Sequence, residues 1–178
     1  MNSALSEVVC VQLFQRRRWI QPDQVDVGLD AFVRQLAWID AHTGLAMAGW
    51  RRSDSAGTTG AILASTTYDD HAWFLAEVAQ LQTLEDYAPV NEAAAALMVG
   101  EDAFERWDSP ADTPDEWLPG EDWFRQTMGP LGLTRDPPWT NAEGADGLVS
   151  WFQADEQRPN EAPTATDVCR TEEWSRIH

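Results

Sequence analysis

The sequence predicts an α+β fold: a single compact domain in which a small sheet packs with several helices, with long acidic, proline-rich loops in the C-terminal half. Three observations favour this class. The chain opens with a valine-rich stretch, two amphipathic helical stretches follow, and nine of the ten prolines lie at position 89 or later. A chain of 178 residues is expected to form one domain. We assign residues 1–158 to that domain and residues 159–178 to a mobile C-terminal tail.

The front half is predicted to contain two strands and a helix. Residues 7–15 form the first strand, because apolar side chains occupy both of its faces. Residues 22–44 contain a helix with Asp23 as its N-cap, since the apolar positions recur with a 3.6-residue period. Residues 45–52 are predicted as a second strand. Residues 53–60 are rich in Ser, Asp, Gly and Thr and are predicted as a loop.

The elements that follow are shorter. Asp69 is predicted to cap a helix over residues 69–84, and the alanine-rich segment after Pro89 favours another helix, because alanine loses no side-chain entropy there. No internal repeat is apparent in the sequence. The alanine-rich helix is placed at 92–97. The remaining predictions are a short turn at 102–107, a loop at 108–122, a short helix at 121–128 and a strand at 147–153.

The charge balance is strongly acidic and restricts the function. Thirty Asp and Glu residues face twelve basic residues, all of them arginine, which gives a formal net charge of -18. Such a field repels nucleic acid and anionic lipid and accelerates association with a basic protein surface. The apolar runs are far shorter than the ~20 residues that span a bilayer, and the N-terminus lacks the order of a secretory signal. We therefore expect a cytoplasmic protein without nucleic-acid or membrane partners.

No motif for catalysis, cofactor binding or metal binding is present in the sequence. The absence of lysine excludes a Walker-type phosphate loop and Schiff-base chemistry. GxSxG, HExxH, CxxC and glycine-rich dinucleotide motifs are also missing. Cys10 and Cys169 are expected to be reduced thiols, although the sequence alone leaves a bridge open. We expect no enzyme activity, no cofactor and no metal.

Two sets of acidic residues have both a functional and a structural interpretation. Asp69, Asp70 and His71 could contribute to a metal site, but two acids followed by a histidine also suit the first turn of a helix. The carboxylate pairs at 115–116 and 121–122 could serve a glycosidase. Thirty acids make such pairs expected by chance, so the structural interpretation is favoured in both cases.

The tryptophans suggest a protein-binding surface. Trp117 and Trp123 each follow two acids in the proline-rich stretch, and tryptophan is enriched among binding hot spots. The alternative is that tryptophans in this stretch, Trp107 and Trp139 among them, anchor long loops to the core. Trp50 lies within a regular element and is expected to pack in the core. The predicted partner-binding residues are Asp112, Asp115, Glu116, Trp117, Glu121, Asp122, Asp26 and Asp30.

The segment from Phe32 to Leu81 resembles bacterial polymorphic-toxin immunity proteins, nearest to the immunity protein 52 family. The residues that carry the resemblance are Phe32-Val33-Arg34-Gln35-Leu36, Ile39-Asp40, Trp50 and a helix beginning at Asp69. It covers a third to a half of the chain. It implies a cytoplasmic protein that neutralises one cognate basic toxin domain, commonly nuclease-like and delivered by a contact-dependent system such as type VI secretion.

The resemblance and the charge favour the same hypothesis. An acidic protein can occlude the basic groove in which a nuclease holds its polyanionic substrate, and nuclease–immunity pairs are among the tightest complexes. The alternatives are another acidic binding protein, such as an effector chaperone or a nucleic-acid mimic, and a small carboxylate-dependent enzyme with a site around Asp69, Asp70 and His71.

Overall fold

The computed structural model describes residues 11–53, 60–109, 122–130, 139–141, 147–153 and 170–178. In these ranges the chain forms eight strands and three helices. The strands are β1 Gln12–Ile20, β2 Ala48–Arg52, β3 Ala61–Tyr68, β4 Met98–Asp108, β5 Trp123–Pro130, β6 Trp139–Asn141, β7 Gly147–Gln153 and β8 Arg170–Arg176. The helices are α1 Val25–His42, α2 His71–Thr83 and α3 Tyr87–Ala95. The predicted α+β class is confirmed.

The eight strands close into one antiparallel barrel in the order β1-β3-β2-β8-β5-β7-β6-β4. β1 lies between β3 and β4, and β5 lies between β7 and β8. The β2–β8 and β4–β6 pairings join these two groups of strands. The sheet is therefore larger than the sequence predicted, because strands from both ends of the chain complete it.

The second half of the barrel repeats the strand order of the first. The first four strands lie in the order β4-β1-β3-β2, and the last four lie in the equivalent order β8-β5-β7-β6. The connections differ in length, since residues 131–138 join β5 to β6 where the 18-residue helix α1 lies between β1 and β2. The repeat is therefore one of strand arrangement.

Matched positions in the two halves carry similar side chains. Gln15 on β1 lies opposite Glu105 on β4, and Gln126 on β5 lies opposite Glu172 on β8. Two residues earlier on the central strands, Leu13 lies opposite Trp107 and Phe124 lies opposite Trp174. Trp50 on β2 and Trp139 on β6 are both fully buried. The two halves therefore place similar side chains at matched registers.

The helices are formed by amphipathic segments that cover the outer face of the first four strands. α1 buries Phe32, Leu36 and Ile39 on its inner face, as its 3.6-residue period predicts. The backbones approach closely: a Cβ at Gly49 would lie 2.7 Å from Leu36, and a Cβ at Gly28 would meet Ile20. Glycine at these two positions allows α1 to lie against the strands.

The predicted caps are each wrong by one residue. α1 follows Gln24 as its N-cap rather than Asp23, and no side chain caps it. α2 follows Asp70 rather than Asp69, and the Asp70 carboxylate accepts hydrogen bonds from the amides of Ala72 and Trp73 at 2.8 and 3.0 Å. Asp70 therefore satisfies two of the free amides at the start of α2.

Several predicted elements are corrected. Residues 102–107 belong to strand β4 rather than to a turn, and residues 123–128 of the predicted short helix lie in strand β5. The first strand extends to Ile20, because each arginine in its second half meets an acidic residue brought near by the fold. Within the predicted tail, residues 170–176 form β8, which pairs on both sides. The predicted strand at 147–153 is confirmed as β7.

In the described ranges, no helix combines the length and the apolar character needed to cross a bilayer.

Candidate functional site

The interior of the barrel contains an apolar layer and a buried polar centre. Arg17, only 4% exposed, donates from Nη1 to Glu105 and from Nη2 to Glu172, each at 2.9 Å. Gln126 donates to the same Glu172 carboxylate at 3.0 Å, and Gln15 donates to Gln126 at 3.1 Å. These side chains come from β1, β4, β5 and β8, so the polar centre connects the two halves of the barrel. Charge pairing of this kind is what permits charged groups to remain buried.

A cavity of about 380 Å³ lies on the other face of the first four strands, beneath the helices. Its volume is within the range of small-molecule sites. Most of its wall is apolar, and aromatic rings form a large part of it. The aromatic lining residues are Phe14, Phe32, Phe74, Phe104 and Tyr87. This wall suits a flat, apolar molecule, because aromatic rings pack favourably against one another in offset or tilted arrangements.

The wall of the cavity is built by the strand alternation and the helix stripes together. Phe14 and Arg16 project from β1, Ala64 from β3 and Phe104 from β4. Phe14 lies 5.2 Å from Phe74 of α2, measured between ring centroids. Phe104 is 57% exposed and lies 6.2 Å from Phe14, so it marks the solvent-facing end of the cavity.

One side of the cavity is polar and is organised by two arginines that share a carboxylate. Arg16 lines the cavity and donates from Nε to Asp102 at 2.8 Å, with a second bond from Nη2. Arg18, only 3% exposed, donates from Nε to the other Asp102 oxygen at 3.0 Å. It also donates to Gln35 at 3.2 Å, and Gln35 in turn donates to Asn91 at 2.8 Å. Gln35 and Asn91 also line the cavity.

This polar side carries an excess of positive charge. Two guanidinium groups share the single Asp102 carboxylate. Burial and the neighbouring Arg16 guanidinium lower the pKa of Arg18, and Asp102 opposes that shift. Arg16 contributes to the cavity wall, whereas Asp102 does not. In a chain with a net charge of -18, the cavity therefore presents a local positive charge.

A second polar group lies beyond the aromatic wall. Arg106 donates from Nη1 to Nε2 of His71 at 2.9 Å, and Nδ1 of His71 lies 3.3 Å from the Tyr68 hydroxyl. Because a guanidinium only donates, Nε2 of His71 is the acceptor of this bond. Burial raises the pKa of Tyr68, whose ring stacks on Phe74 at 4.3 Å. Phe74, which lines the cavity, therefore packs against a residue of the hydrogen-bonded Tyr68–His71–Arg106 group.

The metal hypothesis for residues 69–71 receives no support from the described structure. Asp70 is engaged as the helix cap, and His71 is held between Tyr68 and Arg106. Among the described residues, no group of three His, Cys, Asp or Glu side chains could hold a metal ion.

Three of the predicted partner-binding residues are described, and none of these three lines the cavity. Asp26 and Asp30 are exposed on α1, and Asp122 is exposed just before β5. The others, Asp112, Asp115, Glu116, Trp117 and Glu121, lie outside the described residues. Their role in binding remains a prediction.

Three other tryptophans considered in the sequence analysis are buried. Trp107 and Trp139 are buried in the barrel at 2% and 0% exposure, in agreement with the packing alternative, and Trp50 is buried as expected. Arg16, Gln35 and Asn91, which line the cavity, were not predicted from the sequence. The run Arg16-Arg17-Arg18 was a usable signal, because adjacent residues of a strand point to opposite faces and three arginines must then serve two environments.

Comparison with known proteins gives the fold but no family. No family model and no curated protein matches the chain. Among solved structures, a candidate monooxygenase from Fusobacterium nucleatum matches with a TM-score of 0.56 at 8% identity, covering 97% of this chain and 94% of the other. A NIPSNAP-like domain protein from Burkholderia xenovorans (TM-score 0.49, 12% identity) covers 58% of this chain and 89% of its own. SnoaB, a cofactor-independent oxygenase from Streptomyces nogalater (TM-score 0.41, 18% identity), covers 60% and 97%.

These structural neighbours correct the functional expectations. The strand order β4-β1-β3-β2 with helices on one face is a ferredoxin-like arrangement, and the Fusobacterium nucleatum protein shares the fold of this chain. The expected membership of the immunity protein 52 family is therefore wrong, and so is the toxin-neutralising function inferred from it. The expectation of no enzyme activity is contradicted by the fold shared with a protein described as a candidate monooxygenase. The small-enzyme alternative is the better supported one.

Proposed function

We propose that the protein is a small oxygenase-type enzyme whose active site is the helix-covered cavity and whose substrate is a flat, hydroxylated aromatic molecule. The observation that carries this proposal is the 380 Å³ cavity with an aromatic wall and one polar, positively charged side. The monooxygenase of Fusobacterium nucleatum, which shares the fold over nearly the whole chain, supports the reaction class.

The arrangement suits a hydroxylated ring for a physical reason. Phe14, Phe32 and Phe74 pack against the faces and edges of an aromatic body. The Arg16 guanidinium favours the ionised form of a nearby phenol, because an adjacent positive charge lowers the pKa of an acid. A phenolate is more electron-rich than the phenol and is the form more readily oxidised. The chain's own residues thus bind the ring, exclude water from it and stabilise its anion.

The overall reaction balances for such a substrate with dioxygen alone. One oxygen atom becomes the new carbonyl oxygen of a quinone, the other leaves as water, and the ring supplies all four electrons. For 1-naphthol the products are 1,4-naphthoquinone and water. In this scheme the protein binds the ring beside Arg16, and the ring proton and hydroxyl proton leave with the water.

The test is oxygen consumption with 1-naphthol, followed with an oxygen electrode and by quinone absorbance. Labelled dioxygen should place one labelled atom in the quinone. A bulky residue inside the cavity, Val78→Trp, should abolish turnover, because Val78 lines the cavity. Ala79→Trp, at the neighbouring exposed position of α2, is the matched control and should retain turnover. Turnover that survives Val78→Trp, or naphthol bound in the cavity without any oxygen uptake, would refute the proposal.

A further inference from the structure

We infer that the cavity takes a ligand with one anionic oxygen group, a carboxylate or a phenolate, seated against Arg16. This inference rests on the proposed function, since it assigns a ligand class to the same cavity. It adds a limit on the charge of that ligand, which follows from Arg16, Arg18 and Asp102 taken together.

The hydrogen-bonded network on the polar side of the cavity contains more positive than negative charge. Arg16 and Arg18 contribute two positive charges, and the single Asp102 carboxylate bonded to both contributes one negative charge. The other polar groups of this network are the amides of Gln35 and Asn91, which are neutral. Among the described residues, one positive charge of this partly buried network therefore has no bonded counter-charge.

The two guanidinium groups differ in how far a molecule in the cavity can reach them. The Arg18 guanidinium is 3% exposed and is held between Asp102 and Gln35. The Arg16 guanidinium is 18% exposed, lines the cavity and uses Nε and Nη2 on Asp102. Its Nη1 group has no partner among the described residues. The Arg16 guanidinium is thus the cationic group that a molecule in the cavity can reach.

An aromatic ring lies beside the Arg16 guanidinium. The Arg16 guanidinium carbon lies 5.6 Å from the centroid of the Phe104 ring. This contact orients the guanidinium at the mouth of the cavity, because a cation is attracted to the face of an aromatic ring. An anionic group seated there would leave the ring body of the ligand against Phe14 and Phe74, deeper under the helices.

The remaining polar groups select for a single anionic group. Gln35 and Asn91 are bonded to each other, and they can donate or accept further bonds through their remaining amide groups. They suit a neutral hydroxyl or carbonyl on the same ligand. A dianion would exceed the one uncompensated charge, and a cation would be repelled by Arg16.

The test measures binding of matched ligands by calorimetry. We expect 2-naphthoate to bind about ten- to a hundredfold more tightly than 2-naphthamide, which has the same ring and no charge, since hydrogen bonds to charged groups contribute about 1.5–3 kcal/mol. Titration of 2-naphthol above and below its own ionisation pH distinguishes a phenolate from a carboxylate preference.

Two variants with opposite expected effects make the test sharper. Arg16→Gln should remove the advantage of naphthoate and leave the affinity for naphthamide unchanged. Asp102→Asn should increase the affinity for naphthoate, because it exposes a second uncompensated charge. Arg34→Gln, at an exposed position on α1, is the matched control for loss of one arginine. Thermal melting of each variant shows whether it is folded.

The outcomes separate this inference from the proposed function. Equal affinity for naphthoate and naphthamide, unaffected by Arg16→Gln, would overturn the inference while leaving the cavity as the binding site. Failure of every aromatic probe to bind the folded protein would overturn the proposed function and the inference with it.

Discussion

The buried arginine at the centre of the barrel offers a strong test of the internal repeat. Arg17→Met keeps an unbranched apolar side chain and removes the guanidinium from Glu105 and Glu172, the second of which is 2% exposed. Removing one partner of a buried ion pair typically costs about 3–5 kcal/mol. Glu172 keeps the Gln126 hydrogen bond and an Arg52 contact at 3.6 Å, so we expect about 3 kcal/mol.

The measurement is thermal and denaturant unfolding followed by circular dichroism. For a chain of this size, about 3 kcal/mol corresponds to a decrease of roughly 6–12 °C in melting temperature. Arg125→Met is the matched control, because Arg125 also pairs across β5 and β8, with Glu173 on the outer face of the barrel. It should cost about 1 kcal/mol or less, as partly exposed pairs do.

The repeat makes a further prediction about a double variant. Met128 follows Gln126 by two residues, as Arg17 follows Gln15, so the two positions are matched in the two halves. Both carboxylates lie next to this central polar group. Arg17→Met combined with Met128→Arg should therefore recover most of the lost stability. No recovery in the double variant, or a cost for Arg17→Met no greater than for Arg125→Met, would refute the reasoning.

Three other predictions follow from particular features. Gly60→Ala should cost about 1–3 kcal/mol, because φ is +120° and the new Cβ would lie 2.9 Å from the Ile20 carbonyl oxygen; Gly100→Ala, with φ of +74° and open space, should cost less, and both are measured by denaturant unfolding. The folded state raises the pKa of Tyr68 above its usual 10.0, so the folded chain keeps that proton more tightly and its contribution to stability is lost as pH rises above this value. Tyr68→Phe should flatten the alkaline decline in melting temperature relative to wild type and to a Tyr87→Phe control; an unchanged decline contradicts the assignment. Since each described strand has a neighbour on both sides, light scattering should give the monomer mass of 19.9 kDa, and a dimer mass at micromolar concentration would contradict a self-sufficient barrel.

Local sequence patterns predicted the helices better than the strands. α1 was predicted because its buried side chains recur every three or four residues, and α2 was located to within two residues at each end. β5 was predicted as a helix because one of its inward positions is Gln126, which conceals the alternation of apolar and polar side chains. A buried glutamine is recognisable only once Gln15 and Glu172 are beside it.

The cavity could not be found from the sequence because its polar side is assembled from distant segments. Asp102 lies 86 positions from Arg16, and Asn91 lies 56 positions from Gln35. The excess of acidic residues instead suggested a binding surface for a basic partner. That inference used the net charge of the chain, whereas a molecule in the cavity would experience the local charge of Arg16, Arg18 and Asp102.

Because both halves of the barrel lie in one polypeptide, a residue in one half can be substituted without changing its counterpart in the other. In a symmetric homodimer, any substitution appears in both subunits, so a lone arginine on the axis between them would always face a second copy of itself. A tandem arrangement removes that restriction, and Arg17 here is matched by Met128. Each half can therefore carry a different residue at the same matched position.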